Sequence, residues 1–210
     1  MLFFDATPAV QIGLLIALIA GITFHEFSHA LVADQLGDHR PRALGRVSLN
    51  PVRHFEPIGA VMFLIAGFGW GKPVPINAAT LSPQRTGLTL VAVAGPMANF
   101  VLAAVVAVLY RALQLAGLLD AHLPRDIIAN VVFFNVALGI FNLLPIPPLD
   151  GYNVLVPLLP PKQAYAVRRY APYGLGVLLG ILVMSYLTPV NPLGWLFSLA
   201  SSVARVLIGA

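Results

Sequence analysis

The chain has 210 residues and only 20 charges, 12 Lys+Arg and 8 Asp+Glu, or 10% of the total, where ordinary soluble domains carry about 25%. Hydrophobic residues make up 59% and mean hydropathy is +0.87, more apolar surface than a soluble fold of this size can hide, so the bilayer is the expected solvent. The composition excludes a disordered chain, the absence of Cys excludes a disulfide scaffold, and a pI near 9.8 that reflects few acids, without any Lys/Arg run, argues against a nucleic-acid partner.

The first apolar stretch carries no charged residue or His from Ala6 to Phe24. Helix-compatible sequence continues to Leu36, and Gly37 suits a C-terminal cap. Asp5, with no base before it and no small-residue cleavage site after it, makes this a membrane helix rather than a signal peptide. Further apolar segments run over 58–70, 88–119, 127–144, 173–187 and 193–208. The segment 58–70 has 13 residues, short of the roughly 20 needed to span, and reads as re-entrant or interfacial.

Arg40, Arg42, Arg46 and Arg53 in one loop, and Lys162, Arg168 and Arg169 in the stretch 145–170, mark cytoplasmic sides. Asp120, Arg125 and Asp126 mark an external loop. These assignments close if segment 58–70 does not cross, and if the last two segments form a hairpin that ends inside near Arg205. The expected fold is therefore an all-α membrane protein, a polytopic bundle of about five transmembrane helices plus a re-entrant segment, with residues 1–210 as one domain.

His25-Glu26-Phe27-Ser28-His29 matches H-E-x-x-H. Positions i and i+4 share a helix face, so both imidazoles can reach one metal ion. Glu26, about 100° round the helix, can approach a metal-bound water without being a ligand. Zinc suits this donor set, since it takes imidazole and carboxylate in a tetrahedron and leaves one position for water. It would lower the water pKa and polarise a carbonyl while Glu26 takes the proton. Core or interfacial histidines are the bland alternative. Against it, three ionisable groups lie within five residues of an apolar helix, where each unpaired charge costs at least about 2.5 kcal/mol.

A third ligand is needed. Asp120 and Asp126 fall on the far side, Asp5 at the far helix end, and Asp34 and Asp38 just after the motif, where a ligand is harder to place. Glu56 opens the re-entrant segment and stays open as an alternative. Asp150 is preferred. It lies in Pro145-Ile146-Pro147-Pro148-Leu149-Asp150-Gly151, where proline breaks the helix, and broken backbone at membrane depth is tolerated where it lines a cavity. Zn²⁺ with ionised Glu26 and Asp150 sums to zero charge.

These residues resemble the site-2 protease family of intramembrane zinc metalloproteases. The likeness rests on His25-Glu26-x-x-His29 in a membrane helix and on Asn142-Leu-Leu-Pro-Ile-Pro-Pro-Leu-Asp150-Gly151 near a later helix end. Gly95-Pro96-Met97-Ala98-Asn99 and Gly45-Arg-Val-Ser-Leu-Asn50-Pro51-Val-Arg-His54 are similar to motifs of its small bacterial and archaeal members. The resemblance implies that His25, His29 and Asp150 hold one Zn²⁺ and that Glu26 is the catalytic base. It also implies that Asn142 helps hold the scissile region or its oxyanion. The expected activity is hydrolysis of peptide bonds in or near transmembrane segments of membrane-protein substrates, as in regulated intramembrane proteolysis. The expected setting is a prokaryotic cell membrane, with the active site towards the cytoplasm. The 210 residues leave no length for the PDZ or CBS domains of larger members.

Asn135, Gly139 and Asn142 share a helix face. Asn142 lies within reach of the Asp150 loop, whereas Asn135 reads as interhelical glue. Ala9, Gly13, Ala17 and Gly21 form a small-residue row, as do Gly95, Asn99, Ala103 and Ala107. Such rows let membrane helices approach closely, with Asn99 bonding across the contact. Gly176 and Gly180 would suit a homodimer face, with packing inside the monomer as the preferred reading. His54 reads as an interfacial histidine near lipid headgroups. Residues 71–77 and 46–49 would lie extended near the site, where strand addition could hold a substrate backbone. Two competing functions use the same residues. One is a zinc transporter or channel, disfavoured because the outer half of the first helix offers only Gln11 as a strongly polar side chain. The other is a membrane metalloprotease of the prenyl-protein processing type, with Glu as third ligand.

Overall fold

The computed structural model describes residues 6–66, 71–119, 122–189 and 191–209. The first helix, α1, spans Pro8–Gln35, with Pro8 at its first position and the Thr7 hydroxyl accepting from the Val10 N–H. It stops at Leu36 and Gly37, whose φ is +106°. There the Gly37 N–H donates to the Asp34 carbonyl and the Asp38 N–H to that of Ala33. A positive φ costs a glycine nothing, so Gly37 is the cap its position in the sequence announces.

A short helix α2 (Arg40–Ala43), a 3₁₀ turn (Pro51–Arg53) and helix α3 (Pro57–Ala66) follow. The ten described residues of α3 rise about 15 Å, half the hydrocarbon thickness. The end of the expected re-entrant segment, 67–70, lies outside the described residues. The long helices α4 (Gln84–Leu115) and α5 (His122–Asn142) come next. Then come α6 (Asp150–Leu158), α7 (Pro161–Tyr170), α8 (Gly174–Leu187) and α9 (Pro192–Ile208). No strand occurs among the described residues.

The protein is thus an all-helical membrane bundle. Four stretches are long and apolar enough to cross: Pro8–Gln35, Gln84–Leu115, His122–Asn142 and the run Pro161–Ser185 through α7 and α8. The apolar helix α9 is shorter, Pro192–Ile208.

The centre of the bundle is α1, α4 and α5, each packed on the other two, with α6 against α4 and α9 against α5 and α4. Both expected small-residue rows are buried in it: Ala9, Gly13, Ala17 and Gly21 on α1, and Gly95, Asn99, Ala103 and Ala107 on α4. Ala103 and Ala107 meet Val132, Val136, Ala200 and Ala204. Ile12, Ile16 and Ile19, with Val101, Val105 and Val108, face outward. Small inside and large outside is the order expected in lipid, where helices associate through close packing rather than hydrophobic exclusion.

Contacts fix the helix directions. His29 meets Val91 and His25 meets Asn99, so α1 and α4 are antiparallel. The C-terminal end of α1, the N-terminal end of α4 and the C-terminal end of α5 therefore share one end of the bundle.

Three expectations need correction. The stretch 145–170 is not a plain loop but holds α6 and α7. Pro145, Pro147 and Pro148 precede α6 and Pro161 opens α7, positions that need no intrahelical N–H donor. Arg205 does not lie at the end expected for it, because Arg111 Nη2 donates to the Val206 carbonyl (2.5 Å), so α9 ends beside the C-terminal end of α4. Gly176 and Gly180 do not pack inside the monomer: a Cβ at either would meet nothing within 4 Å.

The turn after α1 is fastened by ion pairs. Asp34 binds Arg42 (2.7 Å) and His39 (3.0 Å). Buried Asp38 accepts two hydrogen bonds from the Arg40 side chain (2.9 and 2.8 Å) and one from the Asn77 N–H (2.7 Å). The Arg40 hydrogen bonds, with help from the backbone donors, hold the Asp38 carboxyl down at about 2 against a cost from burial. Asp38 therefore stabilises the fold fully above its unfolded pKa of about 4, and that contribution is lost as pH falls towards 2. Asp38→Asn should lower Tm by about 3–10 °C at pH 7. The gap to the unmutated protein should narrow below about pH 4 and be largely gone only below about pH 2, in thermal unfolding of the detergent-solubilised protein.

Candidate active site

His25 and His29, one helical turn apart on α1, are both buried. Their Nε2 atoms are 3.1 Å apart, and Asp150 Oδ2 lies 3.0 Å from the first and 3.2 Å from the second. Among the described residues, this is the only group of three or more such side chains able to hold a metal ion.

The far side of each ring shows what converges. His29 Nδ1 is 2.6 Å from the Val91 carbonyl, which can only accept, so Nδ1 carries a proton and, in the neutral imidazole that a metal binds, Nε2 keeps its lone pair. His25 Nδ1 donates in the same way to Asn99 Oδ1 (2.7 Å), since Asn99 Nδ2 is turned to the Gly21 carbonyl. Two imidazole lone pairs and a carboxylate oxygen thus point at one spot with edges of 3.0–3.2 Å. A zinc tetrahedron with bonds of about 2.0–2.1 Å has edges of about 3.3 Å. Without a cation these lone pairs repel one another in an apolar bundle, so the donor set fits zinc.

Two glycines make room for it. At Gly95 α4 passes both rings, and a Cβ there would overlap His29 Nε2 and come within 2.7 Å of His25 Cε1. At Gly151 a Cβ would overlap the Leu143 carbonyl, so only glycine lets the turn after α5 close. That turn delivers Asp150 as the first residue of α6, where the helix dipole favours a carboxylate.

The other acids stand apart. Asp34 and Asp38 are committed to their ion pairs, and Glu56 does not join the donor group. Glu26 is also outside the group. It lies beside Gly71, at the start of a stretch, 71–77, that is neither helix nor turn: a Cβ at Gly71 would be 3.1 Å from Glu26 Oε1 and 3.2 Å from the His54 carbonyl. The Lys72 N–H donates to that carbonyl (2.8 Å), while Arg46 donates to the carbonyls of Arg53 and Lys72. Burial lowers the Arg46 pKa below its ordinary value, opposed by the charge of Glu26.

Asn142, at the end of α5, donates from Nδ2 to the Leu138 carbonyl (3.0 Å), which leaves its second amide N–H. That bond does not join it to the three donors. His54 is corrected: it is 0% exposed, with Nε2 2.6 Å from the Ser48 carbonyl. The loop folds round it, and it does not reach headgroups. The Val91 carbonyl could not be read as a partner, because backbone leaves no mark in residue type. Asn99 was visible as the end of the Gly95–Asn99 motif and as the polar member of a small-residue row, bonding across the helix contact, but not as the partner of His25.

This chain is 37% identical to a Bacillus subtilis protein provisionally named zinc metalloprotease YwhC, over 81% of this chain and 80% of that one. It is 32% identical to a Mycolicibacterium smegmatis protein provisionally named zinc metalloprotease Rip2, over 97% and 81%. A third relative, from Methanocaldococcus jannaschii and provisionally named zinc metalloprotease MJ0611, is 31% identical over 67% and 68%. The chain belongs to the site-2 protease family. No family model and no solved structure matches it. It is accordingly an integral-membrane zinc metalloprotease, and zinc is its cofactor.

The glycine at α4 offers a direct check of the zinc site in this site-2 protease. Gly95→Ala puts a methyl group against both imidazoles and should weaken zinc binding about 10-fold or more. Chelator competition measures the affinity, and an unchanged helical circular dichroism spectrum shows that the bundle survives.

Proposed function

We propose that this protein hydrolyses peptide bonds within or beside the transmembrane segments of other membrane proteins, with His25, His29 and Asp150 as its zinc ligands and Glu26 as general base. The observation that carries the reading is the convergence of Asp150, at the start of α6, with two histidines of a helix long enough to cross the bilayer. His29 is six residues from the end of α1 at Gln35, so the site lies about 9 Å in from that helix end. A bond cut there is reached from within the membrane.

Zinc, when bound, supplies a Lewis acid that acidifies water and polarises the scissile carbonyl. Glu26 accepts the proton of the attacking water as its oxygen bonds to the carbonyl carbon. It then returns that proton to the amine nitrogen as the C–N bond breaks. The second N–H of Asn142 is the group to steady negative charge on the carbonyl oxygen. Residues 71–77, which begin beside Glu26 at Gly71, would pair with an extended substrate backbone.

Nine of the twelve Lys and Arg residues belong to the site's end of the bundle: Arg40, Arg42, Arg46, Arg53, Lys72, Arg85, Lys162, Arg168 and Arg169. Arg111, Arg125 and Arg205 make up the other end. By the positive-inside rule the site faces the cytoplasm of a prokaryotic cell membrane.

Glu26→Gln should keep zinc yet cut turnover of a co-expressed membrane substrate by about 10²–10⁴-fold or more. Asp150→Asn should lose zinc by metal analysis. Normal proteolysis by Glu26→Gln would sink the mechanism, and zinc flux in proteoliposomes abolished by His29→Ala would favour a transporter.

A helical substrate has its backbone groups already paired, so local unwinding must precede cleavage. Replacing Gly, Pro or Asn near a mapped cut by Leu should therefore slow cleavage in a gel-based assay. Unchanged cleavage would refute that requirement.

A further inference from the structure

Asn99 and Asn135 are buried in the heart of the bundle, each 0% exposed. Their hydrogen bonds form one directed chain across three helices. It starts on the backbone of α5, where Asn135 Nδ2 donates to the Val131 carbonyl (2.9 Å). A carbonyl only accepts, so the Asn135 amide is held with Oδ1 pointing away from it. That Oδ1 accepts from Asn99 Nδ2 (3.3 Å), and the same Nδ2 donates to the Gly21 carbonyl of α1 (3.1 Å). Both Asn99 amide hydrogens are then used, and its Oδ1 is left for His25 Nδ1–H (2.7 Å).

Every link has a sense. Turning either amide over would set donor against donor or carbonyl against oxygen, at a buried position where an unmade hydrogen bond is expensive. The close approach needs Gly21, since a Cβ there would lie 2.8 Å from Asn135 Oδ1. His29 needs no such chain, because its Nδ1 partner is the Val91 backbone, which cannot flip. His25 relies on a side-chain amide, and a side-chain amide can turn over unless something holds it.

We propose that Asn135 and Asn99 are positioning residues for the metal centre: Asn135 locks the amide of Asn99, and Asn99 thereby sets the ring orientation of His25 and keeps its Nε2 open towards the metal. The inference rests on the reading of His25 as a zinc ligand.

The test measures zinc affinity of the purified full-length protein in detergent by chelator competition, alongside the thermal midpoint of the zinc-free protein. Asn99→Leu should weaken zinc by about 10–100-fold. Asn99→Asp keeps an accepting oxygen opposite His25 Nδ1 and should recover most of that loss, which a role in packing alone would not produce. Asn135→Ala should weaken zinc by about 3–10-fold when Asn99 is present and should add nothing in the Asn99→Leu background. Three results would overturn the proposal: undiminished zinc affinity in Asn99→Leu, an Asp variant no better than Leu, or an Asn135→Ala effect of equal size in both backgrounds. Where either Asn99 variant fails to fold, Asn135→Ala decides alone: weakened zinc supports the relay, and unchanged zinc refutes it. His25→Ala separates the two levels. If it keeps zinc, the ligand assignment is wrong. If it loses zinc while the Asn99 and Asn135 variants do not, only the relay is wrong.

Discussion

Three metal-ligating atoms brought to one point are the constraint on which the rest of this structure depends. His25 Nε2, His29 Nε2 and Asp150 Oδ2 sit 3.0–3.2 Å from one another in an apolar bundle. Electrostatics there is strong and unscreened by water, so a divalent cation shared by the three atoms is held tightly. The surrounding fold then has two tasks. It must keep the outer nitrogen of each imidazole occupied by an acceptor, and it must bring a carboxylate from 121 residues away to the same point.

Close helix packing performs the first task. The small residues of α1 and α4 let the two backbones approach until the Val91 carbonyl reaches one histidine and Asn99 the other. A larger residue at Gly95 would put a side chain where the rings now are. The same compactness buries Asn99 and Asn135, so polar groups that would be a liability in lipid are paired within the bundle. The break after α5 performs the second task. The proline-rich turn reverses nothing; it ends one helix and starts another, with Asp150 at the new N-terminus and Gly151 closing the turn against Leu143.

The segments at the site's end of the bundle show how sequence and packing divide the work. Charged Asp34 and Asp38 could be set aside as ligands from their place after the motif, and the structure shows both already satisfied by Arg42 and Arg40. His54 was misread, because a histidine among loop arginines looks the same whether the loop opens towards headgroups or closes round it. The side on which α9 ends was misread too. A single arginine at a chain end carries little topological weight, and the contact of Arg111 with Val206 settles the direction of α9. Helices α6 and α7 were hidden by prolines that break a helix when interior but start one when first.

The membrane environment, the helical bundle and the metal motif were determined by the sequence alone. Hydropathy reports length against bilayer thickness, and i, i+4 spacing reports one helix face, both of which are local properties. Asp150 was legible as well, since few acids were available and only one sat in broken backbone at the right end. What only the tertiary structure decided is everything that depends on which atoms of distant segments meet: the Val91 carbonyl behind His29, the Asn99 and Asn135 amides behind His25, the need for Gly95, and the burial of His54. Those depend on interhelical distances of a few ångströms, and residue type alone does not encode them.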